Sequence, residues 1–358
     1  MPSLFDPISL GAIEAKNRIV MAPVTRGRAT KDHVPTARMA EYYRQRASAG
    51  LIITEATGIS LQGLGWPYAP GIWSNEQVEA WKPVTDSVHD AGGKIICQLW
   101  HMGRTVHSDF PGRGQPVSAS ATTAPGLAPT YEGMRPYPEA RPLRVDEIAA
   151  VVNDFSLAAR NAVSAGFDGV QVHAANGHLI DQFLRDNTNL RTDDYGGSIE
   201  NRTRLLREVT GAVVDTIGSA RTAVRLSPEG ERRGVEDSNP QPLFAAAASV
   251  ANEFGVAFLE IRGPSVNDAN LAPDRRPVSP LVRGAFAGPL LLSAEYDRSQ
   301  AQAALDQGIA DAISIGRKFI SNPDLVRRYR DDIPLSPDDP DTWYTQGDEG
   351  YLDYPFAT

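Results

Sequence analysis

Cysteine is almost missing: Cys97 is the only one in 358 residues. This chain alone therefore cannot build an internal disulfide, an iron–sulfur cluster or a thiolate zinc site. A basic surplus is missing too. With a net charge of -9 little can neutralise a nucleic-acid backbone or an anionic bilayer, so neither is expected as a partner. No run of about eighteen apolar residues occurs, and residues 1–10 carry no basic segment leading into an apolar one. Neither export nor membrane spanning is suggested, and the scarcity of cysteine agrees with a reducing cytoplasm. No strand-to-helix turn carries Gly-x-Gly-x-x-Gly, which weighs against an open dinucleotide-binding sheet.

What is present is a repeated alternation. Short Val/Ile-rich runs lie at residues 18–23, 50–56, 94–100, 169–175, 222–228, 257–263, 289–295 and 311–317. Between them Val78, Trp81, Val84 and Val88 fall at helical spacing, as do Ile148, Val151, Val152, Phe155 and Ala162. So do Ile199, Arg202, Leu205, Leu206, Val209 and Val213, with Ser198 placed as an N-cap. Eight apolar runs joined by helices predict an α/β fold, a (β/α)8 TIM barrel filling residues 1–358 as one domain. The leader at 5–17 is expected to plug one end. Two Gly- and Pro-rich excursions, 101–143 and 264–280, are expected as lid loops on the C-terminal face, where such barrels keep their chemistry. The tail from 333 is rich in Pro and Asp and carries Trp343, Tyr344, Tyr351 and Tyr354.

Polar residues at the strand ends are the candidates for a site. Thr25 follows the first run, Gln98 lies in the third, His173 and Asn176 close the fourth, Arg225 lies in the fifth, and Gly316 and Arg317 end the eighth. Gln98 and Arg225 are costly to bury unless each meets a polar ligand or a counter-group. Ser293, Ala294 and Glu295 precede one helix, while Gly316 and Arg317 precede a helical start expected at Asn322, the usual phosphate corner of a barrel. His173 and Asn176 offer two neutral donors suited to an oxygen that gathers negative charge. His178, two residues on, is either a proton donor or a loop histidine facing water.

These residues sit in segments that resemble the old yellow enzyme family of FMN-dependent ene-reductases and NADH:flavin oxidoreductases along essentially the whole chain. The matching segments are Met21-Ala-Pro-Val-Thr-Arg26, Thr54-Glu-Ala56, Gln98-Leu-Trp-His-Met-Gly-Arg104 and His173-Ala-Ala-Asn-Gly177. They continue through Asp181-Gln-Phe-Leu184, Arg191-Thr-Asp-Asp-Tyr-Gly-Gly-Ser198, Glu200-Asn-Arg202, Gly316-Arg-Lys-Phe-Ile320, Asn322-Pro-Asp-Leu325 and Gly350-Tyr-Leu-Asp-Tyr-Pro355.

The resemblance implies FMN at the barrel mouth, with Pro23, Val24, Thr25 and Ala56 against the isoalloxazine, Gln98 on its pyrimidine edge and Arg225 beside N1 and O2. It implies phosphate on Ala294, Glu295, Gly316 and Arg317, and a substrate pocket shaped by Trp66, Trp100 and Tyr351. It further implies a ping-pong exchange between NADPH or NADH and a small activated alkene whose oxygen His173 and Asn176 hold. A monomer or homodimer without a metal would suffice.

Two positions depart from the family pattern. Where the motif reads His-x-x-Asn-Gly-Tyr, with tyrosine as proton donor, this chain has His178. At the phosphate corner Ser293-Ala-Glu295 stands where glycine is common, and a carboxylate repels phosphate unless it points away. A metal-dependent hydrolase using His101, His173 and His178 is disfavoured, since strands one, two, five and seven offer no His or Asp at their ends; a flavin-binding barrel in which His178 has weakened alkene reduction, leaving nitro, nitrate-ester or quinone reduction, stays open. The iron–sulfur-containing multidomain relatives are disfavoured by the length and the single cysteine.

Overall fold

A computed structural model describes residues 1–110, 112, 114–229, 233–263 and 279–358. Each of the eight apolar runs contains a strand: β1 Ile19–Met21, β2 Leu51–Ile53, β3 Ile95–Trp100, β4 Gly169–Ala174, β5 Thr222–Leu226, β6 Phe258–Arg262, β7 Leu290–Ser293 and β8 Ala312–Ile315. Every neighbouring pair is parallel, and β8 closes onto β1 with Ile313 opposite Ile19 and Ile315 opposite Met21. This is the expected (β/α)8 barrel.

Because strand side chains alternate, each strand splits into an outward and an inward set. Ile19, Met21, Ile52, Ile95, Cys97, Leu99, Val170, Val172, Val224 and Leu259 belong to the large cluster packed with the helices. Val20, Leu51, Ile53, Ile96, Ala223, Phe258, Leu291 and Ala312 form a second cluster inside the barrel. It is sealed from below by a hairpin of Ile8–Leu10 and Ile13–Ala15, which contributes Leu10, Ile13 and Ala15. That is the plug. Each fully buried Leu or Ile there stabilises the fold by about 1.5–3 kcal/mol.

The parity that turns Ile96, Ala223, Phe258 and Leu291 inward also turns Gln98, Arg225, Glu260 and Ser293 inward, two residues further along the same strands. The barrel interior is thus apolar at the plugged end and polar at the other.

The first two expected helices form at Asn75–Asp90 and Val145–Ser164. Ser74 and Gln77 make a reciprocal capping box for the first. The third differs: Ile199–Arg202 is capped by Ser198, and a second helix runs Arg204–Ile217. Thr203 interrupts them, its hydroxyl donating to the carbonyls of Ile199 and Glu200 at 2.9 Å each, a side-chain competition that loosens helical geometry. The helix expected to begin at Asn322 instead begins directly after β8, at Arg317–Ser321 with Gly316 as N-cap, and is followed by Leu325–Asp331.

The 101–143 excursion folds a hairpin, Leu127–Thr130 with Gly133–Pro136. Residues 264–278 of the second expected lid lie outside the described residues. Among the described residues no helix is long and apolar enough to cross a membrane.

Candidate active site

The C-terminal ends of the strands enclose a cavity of about 200 Å3. Pro23, Val24 and Thr25 after β1 and Ala56 after β2 form one side; Gln98 and Trp100 of β3 and Arg225 of β5 form the floor and far wall. His173, Asn176 and His178 reach it from β4 and the loop beyond. Thus residues spread over two hundred positions of sequence meet in one space because the barrel brings all strand ends to one face.

The loop after β4 is held tightly. Asn176 takes a left-handed conformation, φ 61°, which asparagine tolerates better than most residues, and its N–H donates to Ser227 Oγ at 2.7 Å. Gly177 N–H donates to Asp181 Oδ2 at 2.9 Å, and Gln182 Nε2 donates to Gly177 O at 2.7 Å. Asp181 in turn pairs with Arg185 at 2.9 Å. The guanidinium of Arg233 donates to Asn176 O at 2.8 Å.

Three histidines cluster here. The rings of His173 and His178 lie 5.0 Å apart, and His178 also meets Trp100 edge-on at 5.0 Å. Burial, reinforced by the charges of Arg225 and Arg233, holds His173 well below the usual histidine range. Burial and then Arg233 and His173 do the same for His178. Both are neutral hydrogen-bonding groups at physiological pH. His101 is also buried, with Nδ1 accepting from Gly103 N–H at 3.1 Å. Its pKa is pushed down to about 3 by burial. Among the described residues no group of three or more His, Cys, Asp or Glu could hold a metal ion.

Sequence comparison gives this geometry its relatives. Residues 3–336 match the NADH:flavin oxidoreductase / NADH oxidase family. This chain belongs to the old yellow enzyme family. A solved old yellow enzyme homologue from Zymomonas mobilis is 60% identical, with a TM-score of 0.96 and 99% of each chain covered. Morphinone reductase in complex with tetrahydroNAD is 43% identical with a TM-score of 0.94, over 100% of this chain and 98% of that one. A protein of Leishmania infantum described as a probable flavin mononucleotide-dependent alkene reductase is 43% identical over 99% of this chain and 97% of its own length. As an old yellow enzyme, the chain is an NAD(P)H-dependent flavin oxidoreductase and an ene-reductase, with FMN as its cofactor.

The residues present fit that cofactor. Among the described residues His173 Nδ1, Asn176 Oδ1 and Trp100 Nε1 are buried without a hydrogen-bond partner, which is costly unless a ligand completes them. Gly316 lies against Val24, where an added Cβ would come within 3.2 Å of Val24 Cγ2. At the phosphate corner Arg317 and Glu295 pair at 3.5 Å, with side chains 53% and 29% exposed. Glu295 is thereby matched, while the pairing occupies the cation expected to meet phosphate.

One expectation is corrected. Tyr351 does not line the cavity: it is fully buried behind it, stacked on Tyr42 at 4.3 Å and 2°, with the Arg28 guanidinium 4.6 Å from its ring. The arginines explain this position. Arg26 donates to Gly350 O at 2.6 Å and Arg28 to Trp343 O at 2.7 Å, pinning the tail to the loop after β1.

The tail residue that does reach the cavity is Tyr344, and with Arg233 it was missed from sequence. Trp66, Arg233 and Tyr344 also line an outer chamber of about 940 Å3, walled by Leu127 and Met134 of the hairpin. Trp66 packs on Tyr344 at 5.3 Å.

Proposed function

We propose that the isoalloxazine of FMN occupies the inner cavity and that His173 and Asn176 grip the activating oxygen of an α,β-unsaturated carbonyl or nitro compound. The observation that carries this reading is the buried His173 Nδ1, without a hydrogen-bond partner among the described residues, beside Asn176 on a cavity whose cationic groups are Arg225 and Arg233. A neutral imidazole keeps one N–H, and a side-chain amide has two. Fixed donors in a site poor in water stabilise an oxygen that becomes negative as the β-carbon is attacked.

Bound FMN would supply hydride chemistry between NADPH or NADH and the β-carbon of the alkene, the two substrates using one place in turn. The chain's own residues would do the rest. Pro23, Val24 and Ala56 would confine the ring, Thr25 would offer it a hydroxyl, Gln98 would meet its pyrimidine edge, and Arg225 would supply a fixed cation that favours an anionic reduced state. Backbone N–H groups of Ala294 and Glu295, with Gly316 and Arg317, would hold the phosphate. Trp66 and Trp100, joined by Tyr344, shape the substrate space. The protein works in the cytoplasm on small molecules, as a monomer or homodimer.

A second reading has an observation in its favour. His178 stands where the family places a proton-donating tyrosine, and burial keeps it neutral. A neutral imidazole N–H is a poor acid, so the α-carbon proton comes from water, more slowly than from a positioned acid. Such an enzyme reduces nitro compounds, nitrate esters or quinones better than enones. The deciding experiment is anaerobic: the purified protein should be yellow, bleach with NADPH, and regain colour with 2-cyclohexenone. A colourless protein that takes up no FMN overturns the flavin reading. Recolouring by a nitro compound but not by the enone selects the second reading over the first.

A further inference from the structure

Gln98 and Arg225 are tied together by two buried side chains, Gln171 and Glu260, that no step above uses. Gln98 Nε2 donates to Gln171 Oε1 at 2.7 Å, and Gln171 Nε2 donates to Glu260 Oε2 at 2.6 Å. The same Glu260 oxygen lies 3.7 Å from Arg225 Nε, and Arg225 Nη2 donates to Ser293 Oγ at 3.2 Å. Glu260 and Gln171 have no exposed surface at all, and Gln98 retains 1%. A carboxylate inside a barrel is expensive to bury, and its other oxygen, Oε1, has no hydrogen-bond partner among the described residues. Apolar residues would fill this layer at lower cost, as they do one layer down with Phe258 and Ile96.

We propose that Glu260 is a positioning residue for the flavin site: it fixes which way the Gln98 amide faces and offsets the charge of Arg225. The inference rests on the flavin reading above, in which Gln98 and Arg225 meet the ring.

The directional argument follows from donor and acceptor inventories. An ionised carboxylate only accepts. Gln171 must therefore turn its NH2 towards Glu260, which leaves its carbonyl oxygen for Gln98. Gln98 must then turn its own NH2 towards Gln171, so the cavity receives its carbonyl oxygen and remaining N–H in one orientation. One acceptor at the end of the relay sets two amides. Without it each amide could reverse with every bond in the relay still made, and the cavity would meet two competing edges. The register supports a built arrangement, since Gln171 sits opposite Gln98 and Arg225 opposite Glu260 across adjacent strands.

Replacing the carboxylate by an amide should have two linked effects. Oxidised FMN loses one well-oriented hydrogen bond, which weakens its binding about tenfold. Reduced, anionic FMN keeps its affinity, because the uncompensated charge of Arg225 offsets the lost hydrogen bond. A tenfold difference between the two states raises the two-electron midpoint potential by about 30 mV.

The test uses Glu260→Gln together with the exchange variant Glu260→Gln/Gln171→Glu. In the second, the carboxylate is moved one place along the relay and still accepts from Gln98 Nε2. FMN-free protein is titrated with FMN by flavin fluorescence, and the midpoint is measured by dye equilibration on reloaded enzyme. Support is an FMN Kd raised about tenfold and a midpoint raised about 30 mV in Glu260→Gln, with the Kd restored to within about twofold of wild type in the exchange variant. An unchanged Kd and midpoint in Glu260→Gln overturn the proposal. If Glu260→Gln yields no folded protein, the exchange variant decides alone: binding like wild type supports the relay, and binding about tenfold weaker overturns it. A wild-type protein that takes up no FMN overturns the flavin reading itself, an outcome distinct from all of these.

Discussion

Acid should destabilise this protein through His101, and the loss can be sized. The residue retains 1% of its surface. Nδ1 accepts from Gly103, Nε2 has no partner, and Gly63 lies so close that an added Cβ would come within 2.6 Å of the ring. Burial pushes the pKa down to about 3. In the unfolded chain an imidazole titrates near 6.5. Between those values the unfolded state binds the proton and the folded state does not, so stability falls as pH falls through 6.5 and goes on falling towards 3. From pH 7 to pH 5 the contribution of His101 alone is about 2 kcal/mol. His173 and His178, depressed by the same burial, act in the same direction. Asparagine at 101 keeps an acceptor for Gly103 N–H and removes the titration. Urea unfolding with saturating FMN at both pH values, for wild type and His101→Asn, should show the variant losing about 2 kcal/mol less. Equal losses in the two proteins would refute the assignment.

Three further outcomes follow from the site. His178→Tyr should raise turnover on 2-cyclohexenone by roughly tenfold, because it installs a phenolic acid where a neutral imidazole now lies, and should raise nitro reduction much less; equal gains on both substrates sink the idea. Wild-type enone turnover should stay level between about pH 6 and pH 8, since His178 is already deprotonated there; a rise as pH falls would mean that its imidazolium donates. Glu295→Gln should tighten FMN by up to about fivefold, the worth of a half-exposed ion pair, by releasing Arg317; fluorescence titration giving the same or weaker binding removes Arg317 from the phosphate site.

The parts of this site that could be read from sequence lie on strands, where period and position carry meaning. Gln98, His173 and Arg225 stand out because each interrupts an apolar run, and the barrel then dictates that they converge. The parts that could not be read lie on connections. Tyr351 and Tyr344 are seven residues apart in the same tail, and which of them reaches the cavity is decided by Arg26 and Arg28 gripping the carbonyls of Gly350 and Trp343. These are backbone contacts, and side-chain pattern does not encode them. Arg233 follows a Gly-Glu-Arg run with a left-handed backbone, φ 53°, a conformation unusual for arginine and invisible in residue type.

Glu260 is a different kind of omission, because the signal was available. It lies in the run 257–263, two residues from Phe258, and strand parity sends both to one face. With Phe258 among the inward apolar residues, Glu260 had to point into the barrel beside Gln98 and Gln171, whose parities agree. A carboxylate forced inward at the level of two amides needs their donors, and their donors are the reason its cost can be met. The polar layer under the flavin site therefore follows from alternation alone once the inward face of any one strand is known. What alternation leaves open is direction along the relay, and there the acceptor-only chemistry of Glu260 is the deciding constraint.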